Sequence, residues 1–352
     1  MTAASQTSAR LADARAHLAA AREPRATGAG PDAGSLRRAY LDLLKLALCD
    51  LAGSSTTSVG AMADGTVLSR ELRGDERRVR AAGMDWPLHG LTMVGLGRLD
   101  DLQACVESVV ADGVEGDVIE AGSWRGGAVI LTRATLDTLG DARTVWVADS
   151  FQGFPEGEAP DDGSLDLRSF AFLAAGLDEV RASFARLGCG EGVRFVPGFF
   201  DETLPALAPG RWAIVRLDAD SHDATLQALR CLYPGLALGG HLIVDDYGSF
   251  AGCRRAVDAF REEHGIAEPL EKVDSTCVRW RRASAAGGTP PPATTLDPAF
   301  ADPPPVPAPD VPTAREAALA GEVAALREQL AAACAQVGLR PWLARRLRRS
   351  GR

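Results

Sequence analysis

The pattern of apolar and polar residues divides the middle of the chain into short and long segments that alternate. Between about residues 116 and 281, short apolar or β-branched runs end in polar residues or glycine and have the length of strands. The longer segments between them have the length of helices. Five strands are predicted, at DVIEAG, TVWVADS, VRFVPG, WAIVRLDAD and HLIVDDY. Four helices are predicted, over residues 127–139, 169–187, 223–232 and 253–264.

This alternation predicts an α/β protein with a mostly parallel sheet that is covered by helices on both faces. The last two runs, LEKVDS and TCVRWRR, have no helix between them and predict a closing antiparallel hairpin. Upstream, YLDLLKLALCDL from Tyr40 has apolar residues at helical spacing and predicts an amphipathic helix. The segment SSTTSVGAMADG that follows it predicts a loop.

Composition and pattern together predict five segments. These are a mobile N-terminal arm (1–34), a helical N-terminal cap (35–115), the α/β core (116–283), a proline-rich linker (284–312) and an amphipathic C-terminal helix with a basic tail (313–352). In the last segment TARE fits a helix capping box, and an apolar stripe follows it. The role of residues 313–337 is open. The segment could dock on its own domain, pair with a second copy, or tether the protein to a partner or a membrane surface.

Charge and cysteine content narrow the class of protein. The net charge of -9 over 352 residues argues against a nucleic-acid-binding surface and favours a small-molecule partner. Seven scattered cysteines without a CxxC pair predict reduced thiols in a cytoplasmic protein. No run reaches the ~18 apolar residues of a transmembrane helix. Only two residues, Lys45 and Lys272, are lysines, which excludes most lysine-centred chemistry.

Acidic residues follow two of the predicted strands. Asp218 and Asp220 lie in RLDADS, and Asp245 and Asp246 lie in LIVDDY. Because parallel strands end at the same edge of a sheet, both pairs are expected at one edge. Clustered carboxylates at such an edge favour a hard divalent cation such as Mg²⁺.

A glycine-rich turn follows the first core strand, in VIEAGSWRGG. A strand that ends in an acid, Glu120, then glycines and a helix start, is typical of nucleotide-binding turns in doubly wound sheets. The acid precedes the glycines, which favours a cofactor with an amino-acid moiety. Asp149 ends the next strand, where an acid can accept hydrogen bonds from ribose hydroxyls. S-adenosylmethionine therefore fits better than NAD or ATP, since Tyr-x-x-x-Lys and GxxxxGK[ST] motifs are absent.

An ordered series of motifs resembles the macrocin O-methyltransferase family. The series runs from YLDLLK through LTMVGLGRLDDLQACVE, GDVIEAGSWRGG, VWVADSFQGFP, PGFFDETLP and LDADS to GGHLIVDDYGSF, and covers residues 40–282. The resemblance implies a class I methyltransferase (Rossmann-like) fold with seven strands. It also implies a sugar O-methyltransferase that depends on S-adenosylmethionine and Mg²⁺, and that acts on a glycosylated small molecule or saccharide.

Residue by residue, the resemblance implies a set of binding roles. The residues that match the methionine side of the cofactor site are Thr92, Met93, Glu120, Ala121, Gly122, Ser123, Trp124, Arg125 and Gly126. Asp149 and Ser150 match its ribose side, and Asp218 is a further cofactor-side residue. The residues that match the metal ligands are Asp220, Asp245 and Asp246, of which Asp220 is also a candidate catalytic residue.

The proton acceptor and the acceptor substrate stay open at this point. His222 follows Asp220 closely and titrates in a suitable range, but an exposed histidine at a helix start is an equally simple interpretation. Family members have a histidine before the Thr-Met pair, where this chain has Leu91. A catechol-type O-methyltransferase and a non-catalytic adaptor with a degenerate domain are the alternative functions. Oligomeric state is also open.

Overall fold

The computed structural model describes residues 32–61, 67–155 and 167–288. The chain divides into two units, Met1–Pro304 and Pro305–Arg352, and all described residues belong to the first. Nearly all of the predicted arm, most of the proline-rich linker and the C-terminal helix therefore lie outside the described residues. Within the described ranges, no helix is long and apolar enough to cross a membrane.

The N-terminal region combines helices with a small antiparallel sheet. Its elements are α1 (Ala33–Leu48), β1 (Ser55–Ala61), β2 (Val67–Arg73), α2 (Arg78–Ala81), β3 (Trp86–Pro87) and α3 (Leu96–Ala111). The three strands pair antiparallel in the order β2-β1-β3. Helix α1 begins before Tyr40 because Asp32 caps it, accepting a hydrogen bond from the Ser35 N–H at 2.6 Å.

The loop predicted after α1 is wrong for Ser55–Ala61, which forms β1. Thr56, Thr57 and Val59 are β-branched, and such residues favour extended backbone. Thr56 and Val59 are also buried, and because they are three residues apart they point to opposite faces of the strand. The segment is short and polar and has no apolar–polar alternation that would predict a strand, and the N-terminal region is partly a sheet.

The core sheet has seven strands. They are β4 (Asp117–Ala121), β5 (Val145–Asp149), β6 (Val193–Pro197), β7 (Trp212–Leu217), β8 (Leu236–Val244), β9 (Glu271–Lys272) and β10 (Val278–Arg281), in the order β6-β5-β4-β7-β8-β10-β9. Strands β4 to β8 pair parallel, whereas β10 pairs antiparallel with both β8 and β9. The predicted parallel sheet with a closing antiparallel hairpin is confirmed.

Helices cover both faces of this sheet. They are α4 (Gly127–Leu139), α5 (Leu177–Arg186), α6 (Phe200–Leu207), α7 (His222–Leu232) and α8 (Ala251–Glu263). The helix predicted over residues 169–187 is shorter than expected. Two single 3₁₀ turns precede it, and α5 starts only after Gly176, whose extended backbone forms the N-cap. Helix α6 was not predicted.

Two apolar cores lie on the two sides of the sheet. One, the α3 face, packs buried residues of α1, α3, α4 and α5, and the other, the α7 face, packs those of α6, α7 and α8. Along each strand the side chains alternate between them, as the pleat requires. Val118 and Ile214 lie on the α3 face, whereas Ile119 and Val215 lie on the α7 face. This alternation decides where the polar residues at the strand ends point.

Candidate active site

The glycine-rich turn between β4 and α4 passes very close to the end of β7. The Gly122 N–H donates to the Ala148 carbonyl at 2.8 Å, and Gly122 has a φ of +87°. A Cβ atom there would collide with the carbonyl oxygen of Asp218. Only glycine fits this position, because the backbone is left-handed and a neighbouring strand occupies the space.

Asp149, at the end of β5, organises the same turn. Its Oδ2 accepts hydrogen bonds from the Ser123 N–H at 2.7 Å and the Trp124 N–H at 3.1 Å. Its Oδ1 accepts from the Phe151 N–H at 2.8 Å. Trp124 and Phe151 both have positive φ, which is rare for residues with side chains and is often found at functional sites. The carboxylate therefore holds two unusual backbone segments together.

Three carboxylates form a close group at the carboxyl ends of β7 and β8. One oxygen from each of Asp218, Asp220 and Asp246 lies within 4.8 Å of the others. The Asp220 N–H donates to Asp246 Oδ2 at 3.2 Å, and Asp220 has a φ of +57°. The positive φ again marks a backbone conformation that the surrounding structure must enforce.

Asp245 lies outside this close group, although it is next to Asp246 in the sequence. Its Oδ1 accepts from Arg216 Nη2 at 2.6 Å, and its Oδ2 accepts from Arg98 Nη1. Asp245 continues the alternation of β8 on the α3 face, where Arg98 projects from α3, whereas Asp246 follows the opposite face. Two adjacent aspartates thus have different partners.

The charges at this edge of the sheet are unbalanced. Two arginines, Arg98 and Arg216, contact Glu120, Asp218, Asp245 and Asp274, and Asp220 and Asp246 lie beside them. Burial, followed by neighbouring aspartates, raises the pKa of Asp220 and of Asp246 well above the usual range. Burial also raises the pKa of Glu120 to about 8, although the Arg216 guanidinium opposes the shift.

This donor set fits a divalent cation. Asp220 and Asp246 are carboxylates whose strongest charged neighbours are other carboxylates, so their negative charge is not compensated by a protein cation. Hard oxygen donors a few ångströms apart are what Mg²⁺ and Ca²⁺ bind. Burial and then repulsion between carboxylates raise the pKa of both groups, and a divalent ion would offset that repulsion.

One cavity of about 1540 Å³ connects the glycine-rich turn with the carboxylate group. Most predicted site residues line it: Thr92, Met93, Glu120, Gly122, Ser123, Trp124, Asp149, Ser150, Asp218, Asp220, His222, Asp245 and Asp246. The volume exceeds the roughly 300–1,000 Å³ of a typical small-molecule pocket, so two ligands fit side by side. A further wall comes from the N-terminal region and includes Val59, Met84 and Trp86.

Three predicted cofactor residues do not lie on the cavity wall. Ala121 is fully buried and its carbonyl accepts from the Asp218 N–H at 2.9 Å. The guanidinium of Arg125 donates to the carbonyls of Leu88 and Gly90, both at 2.9 Å. A side chain at Gly126 would meet the ring of Phe184. All three support the conformation of the turn from the side that faces away from the cavity.

The structure also adds residues that the sequence did not single out. Arg98 and Arg216 both line the cavity and hold the acids at its floor. Arg216 could have been noticed in the sequence, because it interrupts the apolar run WAIVRL. Nothing in the sequence relates Arg98 to Asp245. His222 begins α7 on the cavity wall, and its Nδ1 lies 2.7 Å from Asp223 Oδ1.

The strand order, the glycine-rich turn after β4 and the acids at the ends of β5, β7 and β8 define a class I methyltransferase fold. Residues 38–282 match the model of the macrocin-O-methyltransferase (TylF) family. The chain belongs to this family, whose members are S-adenosylmethionine-dependent O-methyltransferases.

Named relatives share most of the chain. One, 8-demethyl-8-(2,3-dimethoxy-alpha-L-rhamnosyl)-tetracenomycin-C 4'-O-methyltransferase of Streptomyces olivaceus, is 45% identical over 264 residues, covering 73% of this chain and 98% of the relative. Mycinamicin III 3''-O-methyltransferase of Micromonospora griseorubida is 40% identical over 253 residues, covering 70% and 96%. A solved structure of the O-methyltransferase NovP is 38% identical with a TM-score of 0.61, covering 70% of this chain and all of that one.

Proposed function

We propose that the protein transfers a methyl group from S-adenosylmethionine to a sugar hydroxyl of a glycosylated natural product, with Mg²⁺ as cofactor. The observation that carries the proposal is the single cavity that joins the glycine-rich turn to the carboxylate group. Family membership supports the methyl transfer, and the names of two relatives, which act on a rhamnosyl-tetracenomycin and a mycinamicin, support the acceptor class.

Residues beside β4 and β5 would hold the cofactor in that half of the cavity. Glu120 would accept a hydrogen bond from the ammonium of the methionine moiety, and Thr92 and Met93 would border that moiety from the segment before α3. Asp149 and Ser150 lie beside the ribose, and Asp218 is at the junction with the metal site. Ala121, Arg125 and Gly126 support the turn without a direct contact. The carboxylates in this half of the cavity suit a ligand that carries a sulfonium and an ammonium group.

The metal half of the cavity contains Asp220, Asp245 and Asp246 as the proposed ligands. Asp220 and Asp246 belong to the close carboxylate group, and Asp245 reaches the same edge while bound to two arginines. Asp218 is the other candidate for the third ligand. When bound, a divalent cation lowers the pKa of a coordinated hydroxyl and fixes its oxygen.

The protein's own contribution is mainly positioning. A sugar hydroxyl is a weak nucleophile at neutral pH, and the sulfonium methyl is already a good electrophile, so holding the two in line supplies much of the rate. His222 lies on the cavity wall two positions from Asp220 and takes the hydroxyl proton. Its contact with Asp223 orients the imidazole ring.

Two further expectations belong to this proposal. Six described cysteines are free and five of these are buried, which supports a reducing, cytoplasmic location. A catechol-type reaction has less support, because lysines often assist it and neither lysine of the chain lines the cavity. Lys45 instead pairs with Asp100 and Asp42.

The first test is methylation of a panel of glycosides by the purified protein, followed by mass spectrometry. We expect a mass gain of one methyl group on the sugar of at least one rhamnosylated or deoxyhexosylated acceptor, with Mg²⁺ required. Asp220→Asn should lower kcat by at least about 100-fold, on the scale of losing a charge-stabilising group, while S-adenosylhomocysteine still binds. Full turnover with excess chelator, or in this variant, would remove the metal from the proposal.

A further inference from the structure

Arg216 is a charged side chain in the middle of the apolar sheet. It is the penultimate residue of β7, lies on the α3 face, and is only 4% exposed. Burying a guanidinium is costly unless its hydrogen-bonding groups are paired with anions. At this position an aliphatic side chain would continue the strand pattern, so the arginine needs a specific explanation.

Its two terminal nitrogens contact three carboxylates, one on β4 and the others directly after the ends of β7 and β8. Nη1 lies 2.7 Å from Glu120 Oε1 and 3.0 Å from Asp218 Oδ2, and Nη2 lies 2.6 Å from Asp245 Oδ1. Glu120 and Arg216 are direct register partners on β4 and β7. A planar guanidinium can meet several carboxylates in fixed directions, which a lysine ammonium cannot.

These three acids belong to different parts of the cavity. Glu120 is on the cofactor side, Asp245 is on the metal side and Asp218 lies between them. Glu120 itself is 4% exposed, and Arg216 is its ion-pair partner in the described part of the chain. Without that partner, a buried carboxylate would have no fixed direction and little reason to stay charged.

We propose that Arg216 is a positioning residue that holds the Glu120 carboxylate directed at the cofactor's ammonium group. This inference rests on the proposed function, because it assigns Glu120 to S-adenosylmethionine. In this assignment Arg216 acts through Glu120. Its second nitrogen fixes Asp245, so one guanidinium sets the relation between the cofactor side and the metal side.

The test is a double-mutant cycle measured by calorimetric binding of S-adenosylhomocysteine. Arg216→Met and Glu120→Gln should each weaken binding about ten- to hundredfold, the range for one charge-assisted hydrogen bond. The combined Glu120→Gln/Arg216→Met variant should bind no more weakly than Glu120→Gln alone. Arg216→Met with Asp149→Ala should instead show both losses in full, since Asp149 does not contact Arg216.

A matched control is Arg282→Met. Arg282 is fully buried, is absent from the cavity wall and donates to backbone carbonyls including those of Tyr233 and Leu236. We expect this variant to lower thermal stability without changing affinity for S-adenosylhomocysteine. Arg216→Lys, which keeps the charge, should fold and recover part of the affinity that Arg216→Met loses.

Several outcomes would overturn the inference. A folded Arg216→Met protein with wild-type affinity would do so, as would full additivity with Glu120→Gln. If Arg216→Met does not fold, a wild-type affinity of Arg216→Lys for S-adenosylhomocysteine would overturn the inference instead. These results leave the proposed function intact. Failure of the wild-type protein to bind S-adenosylhomocysteine would overturn both the proposed function and this inference.

Discussion

Asp245 and Asp246 are neighbours in sequence, yet their carboxylates have opposite surroundings. Asp245 accepts from two arginines, and Asp246 lies with Asp218 and Asp220, where carboxylates are its strongest charged neighbours. The cause is the two-residue period of the strand that precedes them. A paired acidic motif of this kind can therefore place one carboxylate against arginines and the other among carboxylates.

Metal titration of four asparagine variants tests these roles. We expect Asp220→Asn and Asp246→Asn to weaken Mn²⁺ or Mg²⁺ binding by at least about tenfold, the lower end reported for disturbing a metal site. Asp245→Asn should weaken it as well, because it removes a proposed ligand and one anionic partner of both Arg98 and Arg216. Asp218→Asn should affect S-adenosylhomocysteine binding more than metal binding.

The opposite ranking would change the ligand set. If Asp218→Asn loses metal affinity as fully as Asp246→Asn while Asp245→Asn retains it, Asp218 is the third ligand. Isothermal titration with each cation in the absence of acceptor is sufficient, because the measurement needs no turnover. An unaltered metal affinity in all four variants would exclude a metal site at this edge.

At the scale of elements, Arg80 organises the connection between β3 and α3. It is fully buried in α2, and donates to the carbonyls of Asp85 at 2.9 Å and Val94 at 3.0 Å, and to that of Met93. This connection carries Thr92 and Met93 on the cavity wall and has little regular secondary structure of its own. One side chain thus replaces the backbone pairing that a strand would have supplied.

Arg80 also forms a buried ion pair with Asp85, with 3.2 Å between Nη1 and Oδ1. Arg80→Met should therefore lower the free energy of unfolding by about 3–5 kcal/mol, as when one partner of a buried ion pair is removed. We also expect weaker binding of S-adenosylhomocysteine. The matched control is Arg70→Met, which breaks an exposed pair with Glu76 and should change stability by less than about 1 kcal/mol. Urea unfolding monitored by circular dichroism measures both. Equal losses in the two variants would contradict the assigned role.

The sequence predicts some elements of this molecule better than others. Strands with buried faces, such as Val145–Asp149, have strong periodic patterns and were placed correctly. Strand β1 was missed because its short, polar segment has no apolar–polar alternation, and its pairing with β2 and β3 depends on distant residues. The roles of side chains are likewise predictable where they depend on local sequence and not where they depend on distant contacts. Asp220 was identifiable from its motif, whereas the contact of Arg98 with Asp245 exists only after α3 packs on the sheet.

At the scale of the whole molecule, charge is distributed unevenly along the sheet. The carboxyl edge gathers acids whose pKa values burial raises, among them Asp220 and Asp246. A folded-state acid with a raised pKa binds protons that the unfolded chain has lost, so its contribution to stability falls as pH rises above its ordinary value near 3.8. A bound divalent cation would oppose that loss, and its stabilising effect should increase with pH.

His241 on β8 gives the opposite pH dependence. It is 4% exposed, its Nε2 lies 2.9 Å from Ser108 Oγ, and burial followed by the nearby Arg279 lowers its pKa to about 4. Between pH 4 and 6.5 the unfolded chain binds a proton that the folded protein does not, so stability is lost as pH falls through this window. Above pH 6.5 the group is neutral in both states and has no effect on the slope.

Replacing His241 with glutamine should remove this dependence. Between pH 7 and pH 4 the unfolding free energy of His241→Gln should fall by up to about 3 kcal/mol less than that of wild type. This difference corresponds to the lowering of the His241 pKa from 6.5 to about 4. Its stability at pH 7 should be somewhat lower, because packing against Ser108 is disturbed. Urea unfolding at pH 7, 6, 5 and 4 in the same buffer series gives both slopes. Since the acids at the other end of β8 are present in both proteins, their contribution cancels in the difference, and parallel slopes would show that His241 is not the group that titrates.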